Sequence, residues 1–337
     1  RAASVLGEHL RMTRADTIFM ASPVAHVTGM FIGMVLPIML GAKAVLQDVW
    51  NPLRAAQLLQ DEAVTMTSGA TPFLADLTRA VAEHDYDISS FRLFHAGGSP
   101  IPRVLAQQAS ESMGIDVTTA WGMSELGLGT STSPDDPPHK LFSSDGRAVA
   151  DVDVRVVDEQ GAPLPPDTQG RLQIRCASLF VGYLKRPADY GVDADGWFDT
   201  GDNARMDAEG YIRITGRSKD IIIRGGENIP VAEVEELLYR HPAVQDAAIV
   251  AMPDERLGER GCAFVVLRPQ RALSFQDMLD YLSSCGLARN YFPERLEIIA
   301  EMPRTLSGKI QKFKLRETAQ AFSAQPREPS SPMPPSE

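Results

Sequence analysis

Residues 303–310 read PRTLSGKI, and this run decides more about the fold than any other part of the chain. Lys309 follows a serine and a glycine in a predicted turn, and residues 304–316 hold five basic residues and no acid. Taken alone, the run is typical of a solvated basic turn before a short helix. Together with two runs upstream, it predicts a mobile lid that carries one positive charge to an anionic reaction centre.

The two upstream runs are GRSKD at residues 216–220 and RGGENI at residues 224–229. The glycine of the first run supplies torsional freedom, and its charged residues stay hydrated in either position of a moving domain. An ordinary linker is the alternative for this run considered by itself. The two glycines of the second run leave room for a slender ligand.

Two further runs combine groups that suit a nucleotide. Residues 197–202 read WFDTGD and predict a tight turn whose carboxylate accepts hydrogen bonds from the two hydroxyls of a ribose. Residues 121–125 read WGMSE: the ring suits adenine, the hydroxyl a phosphate, and the carboxylate Mg²⁺, which prefers oxygen ligands. The structural alternatives are an Asx-type hairpin turn and a strand end with a core tryptophan.

Two other runs are weaker signals, GGS at residues 97–99 and PVAHVTG at residues 23–29. A glycine pair permits close approach to a flat ligand, although most such pairs are only turns. His26 lies beside an apolar run, where a histidine is more often a core residue with satisfied hydrogen bonds.

In this order and spacing, the runs resemble those of the adenylate-forming enzymes, which include acyl-CoA synthetases, luciferases and peptide-synthetase adenylation domains. The resemblance extends from about Pro23 to Lys309. Two positions depart from the commoner pattern: Trp121 stands where tyrosine is usual and keeps a stacking face, and Ser124 replaces threonine and keeps the hydroxyl.

The resemblance implies a role for each matching residue. Lys309 bridges the carboxylate of the acid and the α-phosphate, Lys219 is the hinge, Ser124 orients the α-phosphate, and Glu125 holds Mg²⁺. The other implied residues bind the nucleotide (Gly97, Gly98, Ser99, Trp121, Gly122, Asp202, Arg217) or CoA (Gly225, Gly226), lie between the acyl site and the thiol tunnel (His26), or line the acyl pocket (Val27, Met30, Met34, His95, Met123).

The order of predicted elements indicates an α/β protein. Residues 48–121 alternate helix and strand in a βαβ rhythm, which predicts a parallel sheet with ligands at the C-terminal ends of its strands. Residues 147–215 alternate apolar and polar side chains and predict antiparallel strands or a small barrel. The predicted organisation is a large domain over residues 1–216, a hinge at 217–220, a small mobile α+β lid at 221–320, and a disordered tail at 321–337.

Composition limits the partners. The 337 residues carry a net charge of −11, which disfavours nucleic acid and anionic membranes. Residues 30–40 are apolar but too short to span a bilayer, so they predict a buried core segment rather than a membrane anchor. Cys176, Cys262 and Cys285 show no disulfide or metal spacing, which favours the cytoplasm. A homodimer is allowed.

The resemblance implies an ATP-dependent acyl-CoA synthetase, which converts a carboxylic acid, ATP and CoA into acyl-CoA, AMP and diphosphate. No acidic residue is placed to hold the amino group of an amino acid. The expected substrate is therefore a medium-chain, cyclic or aromatic monocarboxylic acid. The alternatives are an acyl-carrier or luciferase-like enzyme, and a nucleotide-binding module without turnover. A nicotinamide dehydrogenase needs G-x-G-x-x-G after a strand, and no such run occurs.

One part of the family pattern is missing. Relatives carry a Ser/Thr/Gly-rich loop, ending in lysine, that grips the β- and γ-phosphates of ATP. The 22 residues before Pro23 contain no such loop, and the chain begins at Arg1. We therefore expect the C-terminal two-thirds of a longer enzyme, with impaired turnover when isolated.

Overall fold

The computed structural model of the chain describes residues 1–99, 101–217 and 220–323. It divides into two compact units. The first comprises Arg1–Lys219 together with Arg304–Ile310, and the second comprises Asp220–Pro303 and the residues from Gln311 onward. The segment that holds Lys309 therefore groups with the first unit, whereas the predicted domain boundaries assigned it to the lid.

A mixed sheet forms the centre of the first unit. Its strands are β1 (Thr17–Met20), β2 (Lys43–Leu46), β3 (Met66–Gly69), β4 (Leu93–Gly97), β5 (Asp116–Trp121), β6 (Thr130–Ser131) and β7 (Arg147–Ala148), in the spatial order β2-β1-β3-β4-β5-β6-β7. Strands β1 to β5 are parallel, and the two short strands that follow pair antiparallel. The parallel sheet predicted from the βαβ rhythm is confirmed.

Helices cover both faces of this sheet. They are α1 (Ala2–His9), α2 (Val27–Met30), a π-helical turn (Phe31–Val35), α3 (Leu36–Leu40), α4 (Pro52–Asp61), α5 (Thr71–Glu83), α6 (Arg103–Met113) and α7 (Pro138–Ser143). One apolar cluster joins α4, α5 and α6 to the sheet, and a second joins α1 and the helical residues 27–40. The predicted start of α4 is confirmed, because the side chain of Asn51 accepts a hydrogen bond from the Arg54 N–H at 2.9 Å.

The apolar run at residues 30–40 is not a fully buried core segment, so that prediction was wrong. Ile32 and Leu36 are buried, but Met30, Met34 and Ile38 are exposed. Four-residue spacing puts these three on one side of a helix, so only the opposite side faces the sheet. The amphipathic pattern was hidden because both sides carry apolar residues.

A second sheet of the first unit is antiparallel. Its strands are β8 (Val152–Val157), β9 (Gly170–Cys176), β10 (Phe198–Met206) and β11 (Ile212–Arg217), in the order β11-β10-β9-β8. A short 3₁₀ turn at Pro187–Asp189 lies between β9 and β10. Of the two predicted alternatives for residues 147–215, the antiparallel sheet is observed. Trp121, at the end of β5, belongs to the apolar cluster of this second sheet.

The second unit is α+β, as predicted. Its strands are β12 (Ile222–Arg224), β13 (Glu227–Ile229), β14 (Val244–Asp254), β15 (Gly258–Leu267) and β16 (Arg295–Ile298), and its helices are α8 (Val231–Arg240), α9 (Phe275–Ser284) and α10 (Lys312–Ser323), with a 3₁₀ turn at Arg289–Tyr291. The predicted cap of α9 is confirmed, because Ser274 and Asp277 form a reciprocal capping box.

Helix α10 extends further than the sequence pattern indicated. Residues 321–323 are its last turn, although the disordered tail was predicted to begin at Ala321. The Phe322 ring stacks on Phe264 of β15 with ring centroids 6.5 Å apart, and this contact accounts for the extra turn. The rest of the predicted tail lies outside the described residues. Within the described part of the chain, no helix has the length and apolarity needed to cross a bilayer.

Candidate active site

The C-terminal edge of the parallel sheet brings together two of the runs found in the sequence. Strands β4 and β5 run side by side, with Gly97 paired to Ala120. Gly98 and Ser99, which follow Gly97 at the end of β4, therefore leave the sheet beside Trp121, the last residue of β5, and Gly122, which follows it. This is the edge where parallel α/β sheets bind ligands.

Lys309 lies at the same edge. Residues 304–310 close into a small hairpin, in which Arg304 pairs with Ile310 and the Thr305 N–H donates to the Lys309 carbonyl at 2.8 Å. A side chain built at Gly98 would begin 3.5 Å from Lys309 Cε. The lysine of one predicted motif thus passes over the glycine pair of another.

The surroundings of Lys309 lower its pKa. Burial of the ammonium group is the largest cause, and repulsion from Arg217 adds to it. The carboxylates of Asp202 and Glu125 act in the opposite direction but do not cancel the effect. The site therefore holds a cation whose charge is only partly compensated, and an added anion would relieve that cost.

Asp202 is held from two sides. The indole Nε1 of Trp121 donates to Asp202 Oδ2 at 2.9 Å, and Nε of Arg217 donates to Asp202 Oδ1 at 3.0 Å. The Asp202 side chain is buried, whereas that of Arg217 is largely exposed. The structure thus brings together three of the residues predicted to bind a nucleotide.

The prediction of a tight turn at residues 199–202 was wrong. These residues lie inside strand β10, where the pairing with β9 shifts register between Asp199 and Asn203. Gly201 adopts a φ of 72° in this bulge, and the Asp202 N–H donates to Thr200 Oγ1 at 3.1 Å. A bulge re-aims one side chain of a strand, which explains how a strand residue points its carboxylate at Trp121.

Ser99 and Ser124 differ in their availability. Ser99 Oγ accepts a hydrogen bond from the Thr71 N–H at the start of helix α5 at 3.1 Å and also donates to Thr71 Oγ1. Its hydroxyl therefore helps to cap a helix. Ser124 is exposed and follows the turn at Gly122.

Glu125 has a partner that the sequence did not reveal. The Tyr183 hydroxyl donates to Glu125 Oε1 at 2.7 Å, and the Phe180 N–H donates to the Glu125 carbonyl at 2.7 Å. The hydrogen bond to Glu125 and, after it, burial raise the pKa of Tyr183 to about 12. The segment between β9 and β10 is therefore fastened to the residue predicted to hold Mg²⁺.

The metal-binding groups around Glu125 fit Mg²⁺ only if a substrate supplies most of the ligands. No group of three or more histidines, cysteines or carboxylates suited to a metal occurs among the described residues. Mg²⁺ is often bound by one or two carboxylates together with the phosphates of a substrate. One carboxylate at the sheet edge fits that arrangement, with the remaining oxygen ligands supplied by phosphate and water.

His26 is the N-cap of α2. Its ring Nδ1 accepts a hydrogen bond from the Thr28 N–H at 3.3 Å, and the backbone N–H of His26 donates to the Pro23 carbonyl at 2.9 Å. Burial and, after it, the charge of Lys309 lower the pKa of His26, so the ring is neutral at pH 7. Gly29 completes the motif because a Cβ there would lie 2.2 Å from the Pro23 carbonyl oxygen.

The five residues predicted to line the acyl pocket have different surroundings. His95 is buried in β4 and hydrogen bonds through Nδ1 to Thr118 Oγ1 at 2.9 Å. Burial is the main cause that lowers the pKa of His95 to about 3. Val27 and Met123 are half-buried, Met123 against the cluster of the second sheet, and Met30 and Met34 are exposed. These placements do not define a closed acyl pocket within the described residues.

Gly225 and Gly226 form the turn of a hairpin in the second unit. They join β12 to β13, with Arg224 paired to Glu227, and have φ values of 59° and 91°. Two consecutive residues with positive φ are the requirement of the type I′ hairpin turn, which supplies a structural reason for this glycine pair. Strand β13 was not predicted, because three residues are too few for a visible alternation. The predicted hinge residue Lys219 lies outside the described residues.

Two interactions at the candidate site were missed from the sequence, the hydrogen bonds of Tyr183 to Glu125 and of Trp121 to Asp202. Tyr183 follows a glycine in an aromatic segment that also holds Phe180 and Tyr190. The centroid of the Phe180 ring lies 4.7 Å from that of Tyr183 and 5.3 Å from that of Tyr190. The aromatic residues of this segment were the only signal in the sequence, and they do not indicate which carboxylate the Tyr183 hydroxyl contacts.

The sequence is similar to known families and proteins. The sequence model of the AMP-binding enzymes matches residues 1–184, and that of the AMP-binding enzyme C-terminal domain matches residues 233–309. The medium-chain fatty-acid–CoA ligase of Escherichia coli (strain K12) is 41% identical over 310 residues, covering 91% of this chain and 55% of that protein. Pyochelin synthase PchD of Pseudomonas aeruginosa (strain UCBPP-PA14) is 39% identical, covering 88% of this chain and 54% of that protein.

The fold is similar to that of solved structures. The crystal structure of ATP-bound MatB from Rhodopseudomonas palustris superposes with a TM-score of 0.89 at 27% identity, over 95% of this chain and 63% of that one. The chain thus spans a little over half the length of the two curated relatives.

Proposed function

The chain belongs to the family of AMP-binding enzymes, and from that premise we propose that it serves an AMP-forming acid–CoA ligase. The observation that carries the proposal is the position of Lys309, whose stem passes Gly98 and whose charge interacts with Asp202, Glu125 and Arg217. The reaction forms an acyl-adenylate from a carboxylic acid and ATP and then transfers the acyl group to CoA.

In the first half-reaction, a carboxylate oxygen of the acid bonds to the α-phosphorus of ATP, and the bond to diphosphate breaks. Negative charge develops on the phosphate oxygens, so a preorganised cation lowers the barrier. Lys309 supplies that cation between the acid and the α-phosphate, and Ser124 donates a hydrogen bond to the phosphate. Removal of one such charge costs about 3–4 kcal/mol of transition-state stabilisation.

The nucleotide is held by the groups at the ends of β4, β5 and β10. Asp202 and Arg217 take the ribose, and the backbone at Gly97, Gly98 and Gly122 lies along the adenine. A bound Mg²⁺ neutralises phosphate charge, and Glu125 is the residue that would hold it. Ser99 supports the site by capping α5. Trp121 presents the edge of its ring to the nucleotide rather than an open face, because its side chain is buried.

The second half-reaction needs a different arrangement of the lid. Rotation about Lys219 withdraws Lys309 and brings the hairpin turn at Gly225 and Gly226 to the site, where it borders the pantetheine arm of CoA. The thiol sulfur then bonds to the acyl carbon, and AMP leaves. His26, neutral at pH 7 because its pKa is lowered, lies where the acyl group and the thiol meet.

The substrate acid in this proposal is a medium-chain, cyclic or aromatic monocarboxylic acid. The apolar side chains of Val27, Met30 and Met123 support it, and so does the similarity to a medium-chain fatty-acid–CoA ligase. The cytoplasmic location, the homodimer and the exclusion of nucleic acid as a partner stay predictions.

A second candidate is a nucleotide-binding chain that does not turn over. The chain itself spans 55% and 54% of the length of its two curated relatives. A luciferase-like or carrier-protein ligase is the remaining alternative, and it differs only in the acceptor of the acyl group.

The test measures acid-dependent exchange of labelled diphosphate into ATP, first with octanoate and benzoate, and then thioester formation with CoA or a carrier protein. Lys309→Ala should abolish exchange and largely spare thioester formation from supplied acyl-adenylate, while Lys314→Ala, at an exposed lysine of α10, should change neither. Binding of a non-hydrolysable acyl-adenylate without exchange would favour the second candidate. Equal loss of both half-reactions in Lys309→Ala would contradict the proposed role of the lid lysine.

A further inference from the structure

The indole of Trp121 makes a contact that stacking on adenine does not explain. Its Nε1 donates to Asp202 Oδ2 at 2.9 Å, and both residues are buried, with 8% of Trp121 and 4% of Asp202 exposed. The other carboxylate oxygen, Oδ1, accepts from Nε of Arg217 at 3.0 Å. Each oxygen of this buried carboxylate therefore has a donor of its own.

We propose that Trp121 is a positioning residue for ribose recognition: its indole N–H fixes the plane of the Asp202 carboxylate so that one acceptor direction on each oxygen faces a ribose hydroxyl. The inference rests on the proposed function, in which Asp202 binds the ribose. It adds a residue that acts on the nucleotide through another residue.

The number of hydrogen-bond directions supports this assignment. An ionised carboxylate offers about four acceptor directions, two on each oxygen. Trp121 and Arg217 use one direction on each oxygen, so one on each remains among the described residues. The 2′- and 3′-hydroxyls of a ribose are two adjacent donors, which matches that remainder.

The indole N–H is well suited to holding the Asp202 carboxylate in one orientation. An indole N–H donates and never accepts, and it does not titrate, so the contact persists at every pH at which Asp202 is ionised. The backbone N–H of Asp202 is held by Thr200 Oγ1 in the bulge of β10, which fixes the base of the side chain. Arg217 is largely exposed, with 61% of its side chain accessible, so the buried tryptophan is the more rigid of the two donors.

The experiment compares the affinities of AMP and 2′,3′-dideoxy-AMP by NMR titration of the ¹⁵N-labelled chain, which measures millimolar dissociation constants. The wild-type chain should prefer AMP. Trp121→Phe should lower that preference about five- to tenfold, because the Asp202 carboxylate loses the hydrogen bond that orients it towards the ribose hydroxyls. Trp197→Phe is the matched control, because the Trp197 ring packs against the guanidinium groups of Arg155 and Arg175.

A tryptophan that only fills space gives a different result. In that case Trp121→Phe weakens both nucleotides by the same factor and leaves the preference unchanged, which overturns the inference. A double variant adds a second check: in the Asp202→Ala background, Trp121→Phe should no longer affect the preference. A further loss there would also overturn it.

Two measurements cover the case in which Trp121→Phe does not fold. Trp121→Tyr keeps a larger ring but has no donor at the indole position, and it should lower the preference as the phenylalanine does. In the wild-type chain, the indole N–H signal of Trp121 should shift more with AMP than with the dideoxy nucleotide. Equal shifts would overturn the inference, whereas a wild-type chain that binds neither nucleotide, or both equally, would refute the proposed ribose role of Asp202 and this inference with it.

Discussion

Lys309 passes directly over Gly98, since a side chain at position 98 would begin 3.5 Å from Lys309 Cε. The two residues lie far apart in the chain and come from separate motifs. Their contact puts the cation of one motif at the end of strand β4, where the other motif leaves the sheet. The contact therefore holds the lysine that we propose as the catalytic cation beside the glycines that we propose to bind the nucleotide.

The first prediction concerns this contact. Gly98→Leu should displace Lys309 and weaken AMP binding, because its Cβ would already be in van der Waals contact with Lys309 Cε at 3.5 Å and the rest of the leucine competes with the lysine stem for space. Gly114→Leu is the matched control: Gly98 and Gly114 have φ values of 81° and 67°, but nothing lies within 4 Å of a side chain at Gly114. Both variants should lose about 1–2 kcal/mol of unfolding free energy from backbone strain. Equal AMP affinities in the two variants would refute the functional role of the contact.

The second prediction concerns the charge of Lys309. Its pKa is lowered in the folded chain, mainly by burial, so folding disfavours the protonated form. The unfolded chain then binds more protons between the lowered pKa and the ordinary value of 10.5, and stability rises with pH across that window. The cost is fully present below the folded pKa, falls across that window and is gone above 10.5.

Lys309→Met should therefore be more stable than the wild type at pH 7, and its advantage should shrink as the pH rises from the lowered pKa towards 10.5. Urea unfolding at several pH values measures this difference. Lys314→Met, at an exposed lysine, should show no such trend. An advantage that is constant with pH would mean that the lysine side chain, rather than its charge, is unfavourable in the site.

The third prediction separates the two roles of His26. Its side chain caps α2 by accepting from the Thr28 N–H. His26→Ala should lower the free energy of unfolding by about 0.5–2 kcal/mol, while His26→Asn, which restores an N-cap acceptor, should lose much less. If His26 also serves the acyl transfer, both variants should slow thioester formation equally. Full activity in His26→Asn would limit the residue to its structural role.

The fourth prediction concerns Tyr183. Its hydroxyl holds Glu125 Oε1 at 2.7 Å, so Tyr183→Phe frees the carboxylate to rotate. The concentration of Mn²⁺ that half-saturates the chain in the presence of ATP, measured by electron paramagnetic resonance, should rise about three- to tenfold. Tyr190→Phe is the control, because Tyr190 packs on the same Phe180 ring. The same increase in both variants would assign the effect to the aromatic cluster and not to the hydrogen bond.

Local patterns in the sequence predicted the elements well. The starts of α4, α5 and α9 and the parallel strands around β4 and β5 follow from capping residues and apolar spacing, which act over a few residues. The exposed side of residues 30–40 was missed because apolar residues on both sides of a helix leave no contrast to detect. The bulge at Gly201 was missed because glycine next to aspartate is equally typical of a turn.

The sequence by itself determined the α/β architecture, the identity of the charged and aromatic residues in the site, and the family to which they belong. Only the tertiary structure decided which of these groups meet: Lys309 with Gly98, Trp121 with Asp202, and Tyr183 with Glu125. The physical reason is range. Helix caps and strand alternation depend on neighbours along the chain, whereas a hydrogen bond selects its partner by distance and direction in space, after packing has joined distant segments.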